Sequence, residues 1–140
     1  MRAAMLGDAD DVATLLDALG YPCDRGEAAE RIAFVTGDPR QTLLLAEVDG
    51  VVCGLIALHW IYSVAHGADL ARITALVVAP GYARRGIGRR LLREAEQMAR
   101  RAGVARIEVT SNIRRTEAHV FYRNCGYTDG SLRFVKLLGD

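Results

Sequence analysis

Leu76-Val77-Val78-Ala79-Pro80, followed by Gly81-Tyr82-Ala83, Arg84-Arg85-Gly86-Ile87-Gly88 and Arg89-Arg90-Leu91-Leu92-Arg93, is the stretch whose reading decides the fold. It predicts an apolar strand ended by a proline, a glycine-containing turn and the first turn of a helix. The opening amides of a helix have no intrahelical partner, and the macrodipole is positive there. Glycines let main chain approach a phosphate without an intervening side chain. Arginines at 84, 85, 89 and 90 crowd this end, where each cation is disfavoured by roughly 0.3 to 1 kcal/mol. Such crowding predicts a bound anion; solvated arginines with long stems over the surface are the plainer alternative.

The kind of anion is narrowed by what the stretch lacks. A Walker loop ends in Gly-Lys-Ser or Gly-Lys-Thr, whereas Gly81 and Gly86 here lead into Ile87-Gly88, which excludes an NTP-binding P-loop. A dinucleotide fingerprint begun at Gly86 needs a third glycine where Leu91 stands.

Working outward, the chain alternates helices and strands. Asp8 to Gly20 carries Val12, Leu15, Leu16 and Leu19 at helical spacing, with Asp8 as the expected cap and Gly20 as the stop. A second helix is expected from Gly26 to Val35. Thr42 to Val48 and Val51 to Tyr62 read as strands joined by Asp49-Gly50, the strongest hairpin signal in the chain. Leu70 to Ala79 is the next strand, and Gly86 to Arg101 a long helix with Leu91, Leu92, Ala95, Met98 and Ala99 on one face. Val104 to Thr110 is expected as a strand, Arg115 to Cys125 as a helix and Ser131 to Leu138 as a final strand. A hairpin followed by strand-helix-strand-helix-strand predicts a mixed α/β sheet, the Leu70 and Val104 strands being parallel.

Composition agrees. With 140 residues, 51% hydrophobic and 25% charged, the chain is expected to form one globular domain over 1–140, without low-complexity segments. A net charge of +1 recruits neither nucleic acid nor membrane in bulk, and only Tyr82 interleaves the basic stripe as a nucleic-acid reading would want. No signal-peptide h-region and no membrane-length apolar run is seen, and Cys23, Cys53 and Cys125 are odd in number and widely spaced. These features predict a cytoplasmic protein with reduced thiols. The three histidines and three cysteines show no metal-ligand spacing, so no metal is expected.

Residues 76–80 and 84–88 resemble the acyl-CoA-binding motif of the GNAT superfamily of N-acyltransferases. A second segment, Ala118-His119-Val120-Phe121-Tyr122-Arg123-Asn124-Cys125-Gly126-Tyr127, is similar to that family's helix bearing an aromatic-tyrosine pair and ending at Gly-aromatic. The resemblance implies a mostly antiparallel sheet with a central, splayed parallel strand pair and helices on both faces. It implies acetyl-CoA as cosubstrate, a primary amine as acceptor and direct attack in a ternary complex. Leu76, Val77 and Val78 would hold the pantetheine arm and supply an oxyanion donor; Ala83, Arg84, Arg85, Gly86, Ile87, Gly88 and Arg89 would hold the pyrophosphate. Asn112 would add a CoA contact, and Tyr122 would protonate the leaving thiolate. Exposed sheet edges would leave room for a homodimer. Three positions depart from the pattern: Ala83 replaces the usual Gln or Arg, Arg115 the frequent Asn, and Thr74 the glutamate that many relatives keep in this strand.

An amine of pKa about 10.4 is almost entirely protonated at neutral pH, so a proton acceptor should assist. Thr74 cannot serve. By residue type the substitutes are His59, His66, Asp69, Glu47 and Glu108, and spacing does not choose among them. Two alternatives to an enzyme are a non-catalytic acyl-CoA sensor and a small basic nucleic-acid adaptor.

Overall fold

Asp49 and Gly50 have φ of 51° and 79°, the pair of left-handed residues that a tight two-residue hairpin turn requires. They join β2 (Gln41–Val48) to β3 (Val51–Ser63) in antiparallel register. The computed structural model describes residues 1–110, 115–130 and 133–139. The chain divides into two compact units, Met1–Val109 and Thr110–Asp140.

The first unit holds a five-stranded sheet in the order β1-β2-β3-β4-β5, with β1 at Arg2–Ala3, β4 at Ala68–Val78 and β5 at Ile107–Val109. All neighbours are antiparallel except β4 and β5, which run parallel as the strand-helix-strand pattern predicts. Helices cover both faces. Successive strand residues point to opposite faces, and Leu55 and Gly54 divide accordingly. Leu55 is buried among Val12 and Leu15 of α1 (Ala9–Leu19) and Ala28 and Ile32 of α2 (Arg25–Thr36). Gly54 faces α3 (Ile87–Arg101), so closely that an added Cβ would lie 3.1 Å from Leu91 and 3.2 Å from the Val77 carbonyl. Glycine at 54 is therefore what lets α3 sit on β3. The buried residues of α3 include Leu91, Leu92, Ala95 and Ala99, the apolar stripe expected from their spacing.

Helix ends follow local chemistry, with one exception. The Asp24 carboxylate accepts from the Glu27 amide at 2.8 Å, and the Glu27 side chain accepts from the Asp24 amide at 3.1 Å, which is a reciprocal capping box. Gly20 closes α1 at φ 102°. Asp8 does not cap α1 with its side chain as expected. Its carboxylate instead binds Arg2 through two bonds of 2.8 Å and accepts from the Met5 amide at 2.8 Å. Arg2 also reaches Glu47 at 2.8 Å, tying β1 to β2. A guanidinium fork in a partly buried place competes better for the carboxylate than an exposed helix amide does.

The second unit contains α4 (Thr116–Asn124), closed by Gly126 at φ 92°. Phe121, Tyr122 and Tyr127 form an aromatic group, with centroids 5.3 Å and 5.8 Å from Tyr122. The final strand expected from Ser131 to Leu138 is corrected: residues 133–139 carry no regular secondary structure, and Ser131 and Leu132 lie outside the described residues. Phe134, Val135, Leu137 and Leu138 are exposed, and β-propensity yields a strand only where a neighbouring strand is paired. Among the described residues no helix is long and apolar enough to cross a membrane.

Candidate functional site

Beyond β4 the chain makes a short 3-10 turn, Pro80–Tyr82, anchored by the Ala79 amide donating to the Cys53 carbonyl at 2.7 Å. Two residues then adopt left-handed backbone: Arg84 at φ 64° and Gly86 at φ 75°. Left-handed geometry costs an L-residue roughly 1 to 2 kcal/mol, so Arg84 is held there by its surroundings while Gly86 is free of the penalty. Helix α3 starts at Ile87, and the Arg90 amide makes a bond of 3.0 Å to the Gly86 carbonyl. The preceding amides of Ile87, Gly88 and Arg89 have no intrahelical acceptor, and among the described residues no side chain caps them. A Cβ added at Gly86 would meet no described atom within 4 Å, so there is open space at the residue that opens the helix.

Charge concentrates at the same place. The first turn of α3 has no acidic residue. Arg84, Arg85, Arg89 and Arg90 are exposed and have no ion-pair partner among the described residues. The Arg85 guanidinium lies 5.0 Å above the Tyr82 ring, which holds it beside the loop. Uncapped amides, the helix dipole, left-handed turn residues and unneutralised guanidinium groups together fit a di- or polyphosphate.

Strand β4 leads into this loop. It pairs with β5 only at Ala71↔Ile107, Arg72↔Glu108 and Ile73↔Val109, then runs on to Val78 without a β5 partner among the described residues. At the same height the β3 register shifts: Ala57 opposes Ala75 and Leu58 opposes Ile73, leaving Thr74 as the extra residue of a bulge. The Thr74 hydroxyl donates to the Ala57 carbonyl at 3.4 Å. A bulge bends and twists its strand at this point. Leu76, Val77 and Val78 lie on the stretch of β4 beyond its described pairing with β5. Val77 is buried in the α1–α2 core; Leu76 and Val78 are half-buried.

The other expected residues lie in the second unit. Tyr122 is half-buried, and burial pushes its phenol up from the ordinary value, with Arg115 opposing and Cys125 adding to the rise. Arg115, Thr116, Glu117 and Ala118 line a depression of about 310 Å³ at the start of α4. Asn112 lies outside the described residues.

Four of the five residues named as substitute proton acceptors are engaged. Glu47 pairs with Arg2 at 2.8 Å, and Asp69 with Arg40 at 3.3 Å. Glu108 takes Arg106 at 2.8 Å and Arg72 at 3.3 Å, and these guanidinium groups hold its carboxyl below the usual range. His66 shares a 2.8 Å bond with the Ser63 hydroxyl in an exposed turn. His59 is half-buried in the middle of the sheet, between Gln41 on β2 and Arg72 on β4. Sequence reading passed over Arg72 and the bulge at Thr74. A bulge leaves no mark in composition or periodicity until the partner strand is known.

Comparison with known proteins places the chain. Residues 11–127 match the model of the acetyltransferase (GNAT) family. The chain is 35% identical over 139 residues to the aminoalkylphosphonate N-acetyltransferase of Salmonella typhimurium (strain LT2), covering 99% of this chain and 90% of the relative. Among solved structures it is similar to a GNAT family acetyltransferase from Staphylococcus aureus, with TM-score 0.84, 25% identity and coverage of 98% and 96% of the two chains. It also shares its fold with an aminoglycoside antibiotic 6'-N-acetyltransferase from Acinetobacter haemolyticus, with TM-score 0.81, 17% identity and coverage of 99% and 98%. The match over most of the chain and the identity along its full length lead to one conclusion: this chain belongs to the GNAT acetyltransferase family and is an acetyl-CoA-dependent N-acetyltransferase.

Proposed function

We propose that this enzyme acetylates the primary amine of a small molecule that also carries an anionic group, with aminoalkylphosphonates as the first candidates, by direct attack in a ternary complex. The observation that carries the acceptor class is the 35% identity, along nearly the whole chain, to an aminoalkylphosphonate N-acetyltransferase. The donor would lie with its diphosphate on the amides of Ile87, Gly88 and Arg89, flanked by Arg84 and Arg85. The uncapped helix start and open space at Gly86 support this placement. The pantetheine arm would follow the unpaired edge at Leu76, Val77 and Val78. A main-chain amide there would stabilise the oxyanion of the tetrahedral intermediate. With Ala83 in place of a side-chain donor, phosphate recognition would rest on main chain and on the flanking arginines.

Tyr122 would give its proton to the departing thiolate. Its phenol, held protonated by burial, suits an acid rather than a base. Asn112 would serve as a further CoA contact.

The test is thiol release from acetyl-CoA with a panel containing aminomethylphosphonate, 2-aminoethylphosphonate, glucosamine 6-phosphate, an aminoglycoside, spermidine, free amino acids and a short peptide. The proposal expects the highest kcat/KM for the aminophosphonates. Equal or greater efficiency with acceptors that lack an anionic group would overturn it.

A further inference from the structure

We propose that His59 is the proton acceptor for the acceptor amine, a role that rests on the transferase chemistry above and assigns its missing base. The inference stands on position. Among the described residues the β4–β5 pairing ends at Ile73, and His59 is the cross-strand neighbour of Arg72, one residue before that end. It therefore stands one strand away from the end of that pairing and at nearly the same height, since neighbouring strands are about 4.8 Å apart and residues rise about 3.3 Å.

The face is right as well. His59 follows Leu55 by four residues in an uninterrupted part of β3, so both point to the face bearing α1 and α2. Helix α3, whose start carries the arginines, packs on the opposite face beside Gly54. A donor held at the start of α3 would leave the α1–α2 face, where His59 lies, to the acceptor. Gln41, His59, Arg72 and Glu108 form one polar row across β2, β3, β4 and β5 by register.

The charges around the imidazole are accounted for. Asp38, in the turn before β2, interacts electrostatically with His59 and is hydrogen-bonded to the Gln41 side chain at 3.0 Å and the Arg40 amide at 2.9 Å. Arg40 binds Asp69 and the Trp60 carbonyl, and Arg72 binds Glu108. Those carboxylates are held by guanidinium groups, whereas an imidazole in its neutral form offers a ring nitrogen that accepts a proton.

In the step itself, one ammonium proton passes to the imidazole, and the freed lone pair forms the C–N bond at the thioester carbonyl. As the C–S bond breaks, the nitrogen of the intermediate gives up a second proton and the departing thiolate takes one, and His59 returns its own to solvent. Amide, CoA thiol and one net proton are the products.

The test compares wild type, His59→Gln, His59→Ala and the control His66→Gln by steady-state kinetics from pH 6 to 10, with acetyl-CoA binding followed by thermal shift. His59→Gln should lose about 100-fold in kcat, within the usual contribution of a general base, while keeping the acetyl-CoA-induced shift. Its rate should climb with pH in step with the free amine. Added imidazole should restore part of the His59→Ala activity, and His66→Gln should match wild type. A His59→Gln enzyme within threefold of wild type and with an unaltered pH profile overturns this inference alone. A wild type that binds acetyl-CoA but acetylates no amine overturns the transferase reading and this role together.

Discussion

Gly86→Ala separates fold from ligand at the loop before α3. Gly86 sits at φ 75° with nothing within 4 Å of where a Cβ would stand, so the substitution meets no steric clash in the protein. The remaining penalty is the left-handed backbone, roughly 1 to 2 kcal/mol, or about 3 to 6 °C in Tm for a domain of this size. The new methyl is added at the residue immediately before the Ile87, Gly88 and Arg89 amides. Displacing a diphosphate from even one of those amides removes a charge-assisted hydrogen bond of about 1.5 to 3 kcal/mol, a loss of roughly 10- to 150-fold in affinity. Gly50 supplies a matched control: its φ is 79°, a Cβ there also meets nothing within 4 Å, and it lies in the hairpin turn. Gly50→Ala should therefore lower stability as much as Gly86→Ala and leave affinity untouched. Gly86→Asn sharpens the contrast, because asparagine tolerates left-handed backbone while its side chain still obstructs the amides. Calorimetric titration with acetyl-CoA and thermal unfolding measure both quantities. If Gly86→Ala binds acetyl-CoA within twofold of wild type, the diphosphate is not held on these amides.

Three further outcomes are expected. Tyr122→Phe should lower kcat by about 100-fold with acetyl-CoA affinity retained. Because burial raises the phenol, wild-type activity should persist to alkaline pH, and a variant of full activity across the range would exclude this acid. Asp8→Asn should cost about 2 to 4 kcal/mol by urea unfolding at neutral pH, since it breaks a part-buried bidentate pair. The Arg2 partnership lowers the Asp8 carboxyl in the folded state. Its contribution is therefore full above the ordinary carboxyl range near pH 4, and fades as pH falls through the lower folded value. The wild-type advantage over Asp8→Asn should accordingly shrink in acid, and a constant difference down to pH 2 would contradict the linkage. Asp24→Ala should remove about 1 kcal/mol by opening the capping box of α2, readable as a shift in urea midpoint without change in slope.

Local rules fixed much of this protein before any contact between distant residues. Asp49-Gly50 sets its hairpin because few other pairs accept left-handed backbone twice. Gly86, the arginines and the apolar stripe of α3 mark a helix start that invites an anion, since the dipole and unpaired amides belong to any helix. What the linear chain withholds is register. The extra residue at Thr74 exists only relative to Ala57 and Leu58, so the bulge becomes visible only once β3 is paired. Asp8 was legible as a helix cap, yet Arg2 takes its carboxylate because folding brings β1 alongside β2. The apolar alternation after Leu132 likewise promises a strand that 133–139 do not form, a backbone ladder needing a partner as much as a propensity. His59 was one of five equal candidates in the sequence. Tertiary structure sets it apart, because ion pairs and hydrogen bonds claim the other four while cross-strand pairing sets this imidazole beside Arg72, one residue before the described β4–β5 pairing ends. Periodicity and turn chemistry act through neighbours a few residues away, whereas register and charge pairing join residues tens of positions apart.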